Sequence, residues 1–183
     1  MRVRLDSLRG VDVTVEQLIT FDEPADLADC PLGELRALRD AYQEVEHGLS
    51  YARRIVQGRL DTVAVEFERR AENDPDTDLV HRLPSALATH TRGPGLPRPG
   101  QELDPPAWAD EIVSEADRIL GSSAMAGLST VAEAELLENM NALAELERDV
   151  STVRRDVQKR MDRVQDEIVA RYQAGASVDD LLI

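Results

Sequence analysis

Apolar residues recur at three- and four-residue steps along two long stretches of the chain. The first runs through Leu35, Leu38, Tyr42, Val45, Leu49, Ala52, Val56, Leu60, Val63 and Phe67, and the second through Leu136, Met140, Leu143, Leu146, Val150, Val153, Val157, Met161, Val164 and Ile168. That spacing keeps one face of an α-helix apolar over its whole length. It predicts one long helix over residues 31–72, with Pro31 at its first position, and a second over 130–175, with Thr130-x-x-Glu133 as a capping box and Gly175 at its end. A shorter amphipathic stretch, Trp108, Ile112, Val113, Ala116, Ile119 and Leu120, predicts a helix near 105–120 that begins after Asp104-Pro105. Trp108 reads as the packing anchor of that helix. Between the long helices, residues 73–129 form a linker, broken by Asn73-Asp74-Pro75-Asp76 and rich in Pro and Gly over 91–106. Residues 1–30 read as an irregular arm, in which Thr14 and Gln17 would cap a short helix near 15–20, and 176–183 as a C-terminal tail. The expected fold class is therefore all-α: a long antiparallel coiled-coil helical hairpin with a short extra helix.

The polar positions carry the second pattern. Glu46, Ser50, Arg53, Gln57 and Asp61 are repeated in kind by Glu147, Ser151, Arg154, Gln158 and Asp162, with an offset of 101 residues throughout. At 100° per residue each set falls within a stripe about 80° wide that climbs its helix for roughly 22 Å. A single polar stripe is usually a solvated face, but a chance second copy is roughly a one-in-several-thousand event at ordinary residue frequencies. Arg54/Arg155, Val56/Val157, Arg59/Arg160, Val63/Val164, Glu66/Glu167 and Arg70/Arg171 match at the same offset, so this is an internal duplication. Gly48 and Gly58 lie beside the first stripe, each costing about 1 kcal/mol of helix propensity relative to alanine, and would admit a close approach to the backbone.

Composition narrows the function. With a formal net charge of −15, non-specific binding to nucleic acid or an anionic membrane is disfavoured and a basic protein partner is favoured. No apolar run is long enough to cross a bilayer. Cys30 is the sole cysteine, which suits a reducing, cytoplasmic setting. His47, His81 and His90 lack metal-ligand spacing, and no Gly-rich loop follows a strand pattern. No constellation for acid–base or nucleophilic work is present, so neither an enzyme nor a metal site is expected.

Each polar stripe lies about 90° from its apolar stripe, rotated in the same sense in both helices. Antiparallel packing therefore brings the two stripes to one face. The register that superposes them sets Glu46 opposite Asp162, Ser50 opposite Gln158, and Arg53 against Arg154, with Arg54 and Arg155 close by. That is a pseudo-twofold surface with a cationic centre and acidic ends. Arginine's fork suits phosphate and the O6/N7 edge of guanine, and carboxylates accept from guanine N1–H and N2–H2. A cyclic dinucleotide bearing guanines matches this layout, and either one or a stacked pair fits the length.

The twice-repeated E-x3-S-x2-R-x3-Q-x3-D resembles the cyclic di-GMP signature of the RsiG family of actinobacterial anti-sigma factors, and both copies match it at all five positions. The resemblance covers the two long helices alone. It implies a cyclic di-GMP dimer held on one face by the ten motif residues, and a WhiG-type sporulation sigma factor clasped and kept inactive while the nucleotide is bound. The alternative is a structural coiled-coil adaptor without a nucleotide ligand.

Overall fold

The computed structural model describes residues 3–5, 19–21, 24, 26–72, 84 and 105–175. Two helices dominate it: α1, Leu32–Ala71, and α4, Glu133–Gln173. Each is about 60 Å long at 1.5 Å per residue. Between them in sequence come α2, Ala109–Ile119, α3, Ser122–Ala126, and a 3₁₀ turn, Leu128–Thr130. In the N-terminal arm β1, Val3–Leu5, and β2, Ile19–Phe21, form a three-residue antiparallel ladder. Ile19 and Thr20 thus lie in a strand where a short helix near 15–20 was expected; residues 15–18 lie outside the described residues, as do most of the linker and the tail.

The long helices pack antiparallel. Cross-helix contacts run from Arg36 with Tyr172, through Glu46 with Gln158 and Gln57 with Glu147, to Arg70 with the carbonyls of Leu128 and Val131. Both apolar stripes are inside, as their periodicity predicts. Leu35, Tyr42, Leu49, Ala52, Val56 and Val63 of α1 are buried, and so are their counterparts 101 residues on: Leu136, Leu143, Val150, Val153, Val157 and Val164. Even the helix starts, Leu32 and Glu133, keep that offset. The duplication is therefore architectural, a pseudo-twofold pair in which each half supplies one helix and one side of the core.

α2 breaks the symmetry. Trp108 packs over Gly48, where an added Cβ would overlap the indole and lie 2.7 Å from Pro106 Cγ. The close approach that Gly48 admits is thus an intramolecular one. Arg59 holds the far end of α2, donating to Asp117 Oδ1 at 2.6 Å and to the Val113 carbonyl. By helical projection Gly48 and Arg59 lie on the far side of the apolar stripe from the polar ladder. The ladder face is thereby left clear of α2.

Three expected helix starts are corrected. Pro31 is the N-cap of α1 rather than its first residue. α4 has Ala132 at its N-cap with no side-chain cap hydrogen bond. Thr130 belongs instead to the preceding 3₁₀ turn, where its hydroxyl donates to the Gly127 carbonyl at 2.8 Å. α2 begins at Ala109 rather than near 105, because Pro106, Ala107 and Trp108 spend their carbonyls on turn hydrogen bonds that lead into the helix. α3 falls inside the span read as linker.

Candidate functional site: a polar ladder shared by two helices

Eight of the ten duplicated residues assemble into two clusters, and each cluster draws on both copies of the motif. In the first, the single oxygen Oε1 of Glu46 accepts from Ser50 Oγ on its own helix at 2.8 Å, and from Arg154 Nε at 2.9 Å and Gln158 Nε2 at 3.1 Å across the pair. In the second, Oε1 of Glu147 accepts from Ser151 Oγ at 2.7 Å, Arg53 Nη1 at 3.3 Å and Gln57 Nε2 at 3.2 Å. The composition is the same in both: carboxylate and hydroxyl from one helix, guanidinium and amide from the other. Neither copy builds a cluster alone. Asp61 and Asp162 follow one turn beyond Gln57 and Gln158, at the outer ends, the former half-buried and the latter exposed.

The predicted side-chain pairings change. Glu46 meets Gln158 and Arg154 rather than Asp162, a displacement of about one helical turn. Arg53 and Arg154, expected to crowd together at the centre, are each drawn instead to a carboxylate of the opposite helix, the arrangement that Coulomb's law favours when both signs are within reach. The cationic centre thus becomes two charge-balanced clusters. Arg54 and Arg155 are exposed, and Arg155 folds back on its own helix, donating from Nε to the Ser151 carbonyl.

The clusters are unequal. Arg154 Nε also donates to Ser50 Oγ at 2.8 Å. Arg53 reaches its carboxylate through Nη1 alone, and its Nε is buried without a hydrogen-bond partner. Every ladder residue but the exposed Asp162 is half-buried, shielded enough to strengthen a charge interaction yet open on one side to a ligand.

A second constellation at the hairpin ends was matched in the sequence but not read as structural. Glu66 is fully buried and accepts from Arg69 and Arg70, while Arg70 Nη2 donates to the carbonyls of Leu128 and Val131. The Arg69 hydrogen bond is the main reason the Glu66 carboxyl titrates below its ordinary value, outweighing the opposing cost of burial. Its counterpart repeats the device: Arg171 is held by Glu167 and donates to the carbonyls of Leu27, Ala28 and Cys30. Leu27 and Cys30 stand 101 residues before Leu128 and Val131, so acceptors as well as donors are duplicated. The cue available in the sequence was the matched pair Glu66/Glu167 and Arg70/Arg171.

Among the described residues no group of His, Cys, Asp and Glu could hold a metal ion, and no described helix is long and apolar enough to cross a membrane. Fold and ladder together define a two-helix hairpin with a duplicated polar site. Residues 21–87 and 122–183 match the RsiG-like family, so the flanks of the Pro- and Gly-rich stretch, each carrying one motif copy, are the matched parts. The chain belongs to the RsiG-like family, whose role is that of an anti-sigma factor. No curated protein matches it.

Proposed function

We propose that the chain is a cyclic di-GMP-dependent anti-sigma factor that sequesters a WhiG-type sporulation sigma factor in the cytoplasm. The observation that carries this reading is the pair of composite clusters, equal in composition and related by the pseudo-dyad of the hairpin. A ligand that engages both in the same way must itself carry two like halves. Each half needs an anionic group or a purine edge for a guanidinium fork, and donors for the carboxylates at the outer ends. Cyclic di-GMP has two phosphates and two guanines, whose O6/N7 edges suit Arg53 and Arg154 and whose N1–H and N2–H2 suit Asp61 and Asp162. Ser50, Ser151, Gln57 and Gln158 supply hydrogen bonds to phosphate, sugar or base edge. A stacked pair of nucleotides spans the ladder best, because the ten residues extend over four helical turns.

The net charge of −15 supports a partner with basic surfaces, such as a sigma factor's contacts with DNA and polymerase. The ligand would bridge α1 and α4, hold the hairpin in one register and so pre-organise the sigma-binding surface. By linkage, sigma factor and nucleotide then raise each other's affinity by one common factor. The rival reading is a structural seam, in which the same cross-helix hydrogen bonds serve only to align two helices.

Calorimetry with the intact chain separates these. Cyclic di-GMP should bind, and cyclic di-AMP should bind far more weakly, because adenine lacks O6 and the N1–H and N2–H2 donors. Sigma-factor affinity should rise with cyclic di-GMP present. Equal affinity for the two nucleotides, or sigma binding indifferent to nucleotide, would leave the seam as the better account.

A further inference from the structure

We infer that Glu46 and Glu147 are internal latches: each carboxylate competes with an incoming anion for the arginine of the opposite helix, and so sets the nucleotide concentration at which the ladder opens. This rests on the cyclic di-GMP reading and refines it, because carboxylates at these positions were expected to read guanine donors.

The first ground is the hydrogen-bond pattern. On each glutamate Oε1 accepts three donors, one from its own helix and two from across the pair. An oxygen so engaged is not available to a purine edge unless the cross-helix bonds part. The second ground is charge. The ten ladder residues carry two arginines against four carboxylates, so the unlatched resource for a nucleotide's phosphates is small while the glutamates hold both guanidinium groups. An anionic ligand that takes the nitrogens now bonded to the glutamates must displace Glu46 from Arg154 Nε and Glu147 from Arg53 Nη1. The third ground is place. Glu46 and Glu147 lie in the inner clusters, bonded to the arginines, whereas Asp61 and Asp162 stand one turn further out.

The two latches differ in strength. Glu46 holds Arg154 through Nε at 2.9 Å, and Ser50 supports the same nitrogen at 2.8 Å. Glu147 holds Arg53 at 3.3 Å, and the Arg53 Nε is left buried and unpartnered. The Arg53 cluster therefore opens first, and a ligand acceptor that reaches that nitrogen removes an existing cost as it binds. Occupation is ordered, with the Arg154 cluster following.

The test uses the intact chain with Glu46→Gln, Glu147→Gln and the double variant, each assayed with cyclic di-GMP by calorimetry and by thermal melting without nucleotide. Glutamine keeps the shape and a carbonyl acceptor but gives up the ion pair. Nucleotide affinity should rise about two- to tenfold in each single variant, the range set by half-buried ion pairs, more in Glu46→Gln than in Glu147→Gln, and most in the double variant. The midpoint of melting without nucleotide should fall at the same time. Asp61→Asn serves as the contrast and should weaken binding. Weaker or unchanged binding in Glu46→Gln, with the wild type binding normally, would overturn the latch and return the glutamates to direct base reading or to a passive role. A wild type that fails to bind cyclic di-GMP at all would overturn the proposed function itself, and the latch with it.

Discussion

Glutamate–arginine pairs occur in the ladder and again at the two ends of the hairpin, and the two regions use them differently. At the ends, Glu66 and Glu167 hold arginines of their own helix, and the free guanidinium nitrogens donate to backbone carbonyls just ahead of the partner helix. In the ladder the pairs cross between helices, side chain to side chain, and are half exposed. Backbone carbonyls cannot swing away, so both end clasps are fixed, and at the Arg70 end Glu66 is also inaccessible to solvent. Ladder groups can exchange partners by rotating side chains. The same pair of residue types is thus set for permanence in one place and for exchange in the other, and what separates them is whether the arginine's further acceptor is backbone or side chain.

The comparison is broken most directly by one substitution in each region. Arg154→Ala should reduce cyclic di-GMP affinity by about a hundredfold or more, while stability without nucleotide changes by no more than about 1 kcal/mol, the scale of a partly exposed ion pair. Arg70→Ala should do the reverse: about 2–4 kcal/mol of stability lost, because a buried carboxylate loses one of its two cations and two carbonyls lose their donor, with affinity in the folded fraction nearly unchanged. Calorimetry and denaturant melts on both variants check this. Arg70→Ala that abolishes nucleotide binding at full stability would erase the distinction between the two regions.

A smaller effect sharpens the asymmetry between the two faces of the hairpin. Gly48→Ala should destabilise by about 1–3 kcal/mol from overlap with Trp108 and Pro106, less the roughly 1 kcal/mol that alanine recovers in a helix. The ladder lies on the other face, so nucleotide affinity should hold. Melts and calorimetry on one preparation report both.

The smallest expected effect is one of pH. The Glu66 carboxyl titrates below its ordinary 4.5 in the folded chain, so the unfolded chain binds more protons in that range. Its contribution to stability is present above about pH 4.5 and is lost as pH falls from there through the lowered folded value. The stability gap between wild type and Glu66→Gln should therefore narrow on acidification, as chemical denaturation at several pH values would show. A gap that widens would mean that burial outweighs the arginines.

Much of this was legible in the sequence, for physical reasons. Leu49, Val56, Val150 and Val157 announce a helix pair because burial on one side demands a 3.6-residue period, and the doubled motif announces a shared site because solvated faces do not repeat residue for residue. The side-chain partners were one turn off because superposing the motifs ignores the pull of each glutamate on the arginine and glutamine of the other helix. Glu66 stood in the sequence only as one duplicated position among several, because burial of a carboxylate depends on arginines that the fold brings to it. Thr130 read as a cap because cap and 3₁₀ turn draw on the same hydroxyl, and the choice between them depends on Gly127 and Leu128. The Trp108–Gly48 contact was legible only in halves, an anchor without its seat and a glycine without its visitor.

That contact bears on orientation. A bare duplicated hairpin is unchanged in outline by half a rotation about its dyad, so a partner grasping it could dock in two equivalent ways. α2, seated on α1 by Trp108 and Arg59, has no counterpart at the dyad-related position among the described residues. It marks one end of the hairpin as different from the other. A symmetric small molecule on the ladder face would be insensitive to that mark, whereas a protein partner that touched α2 would read it.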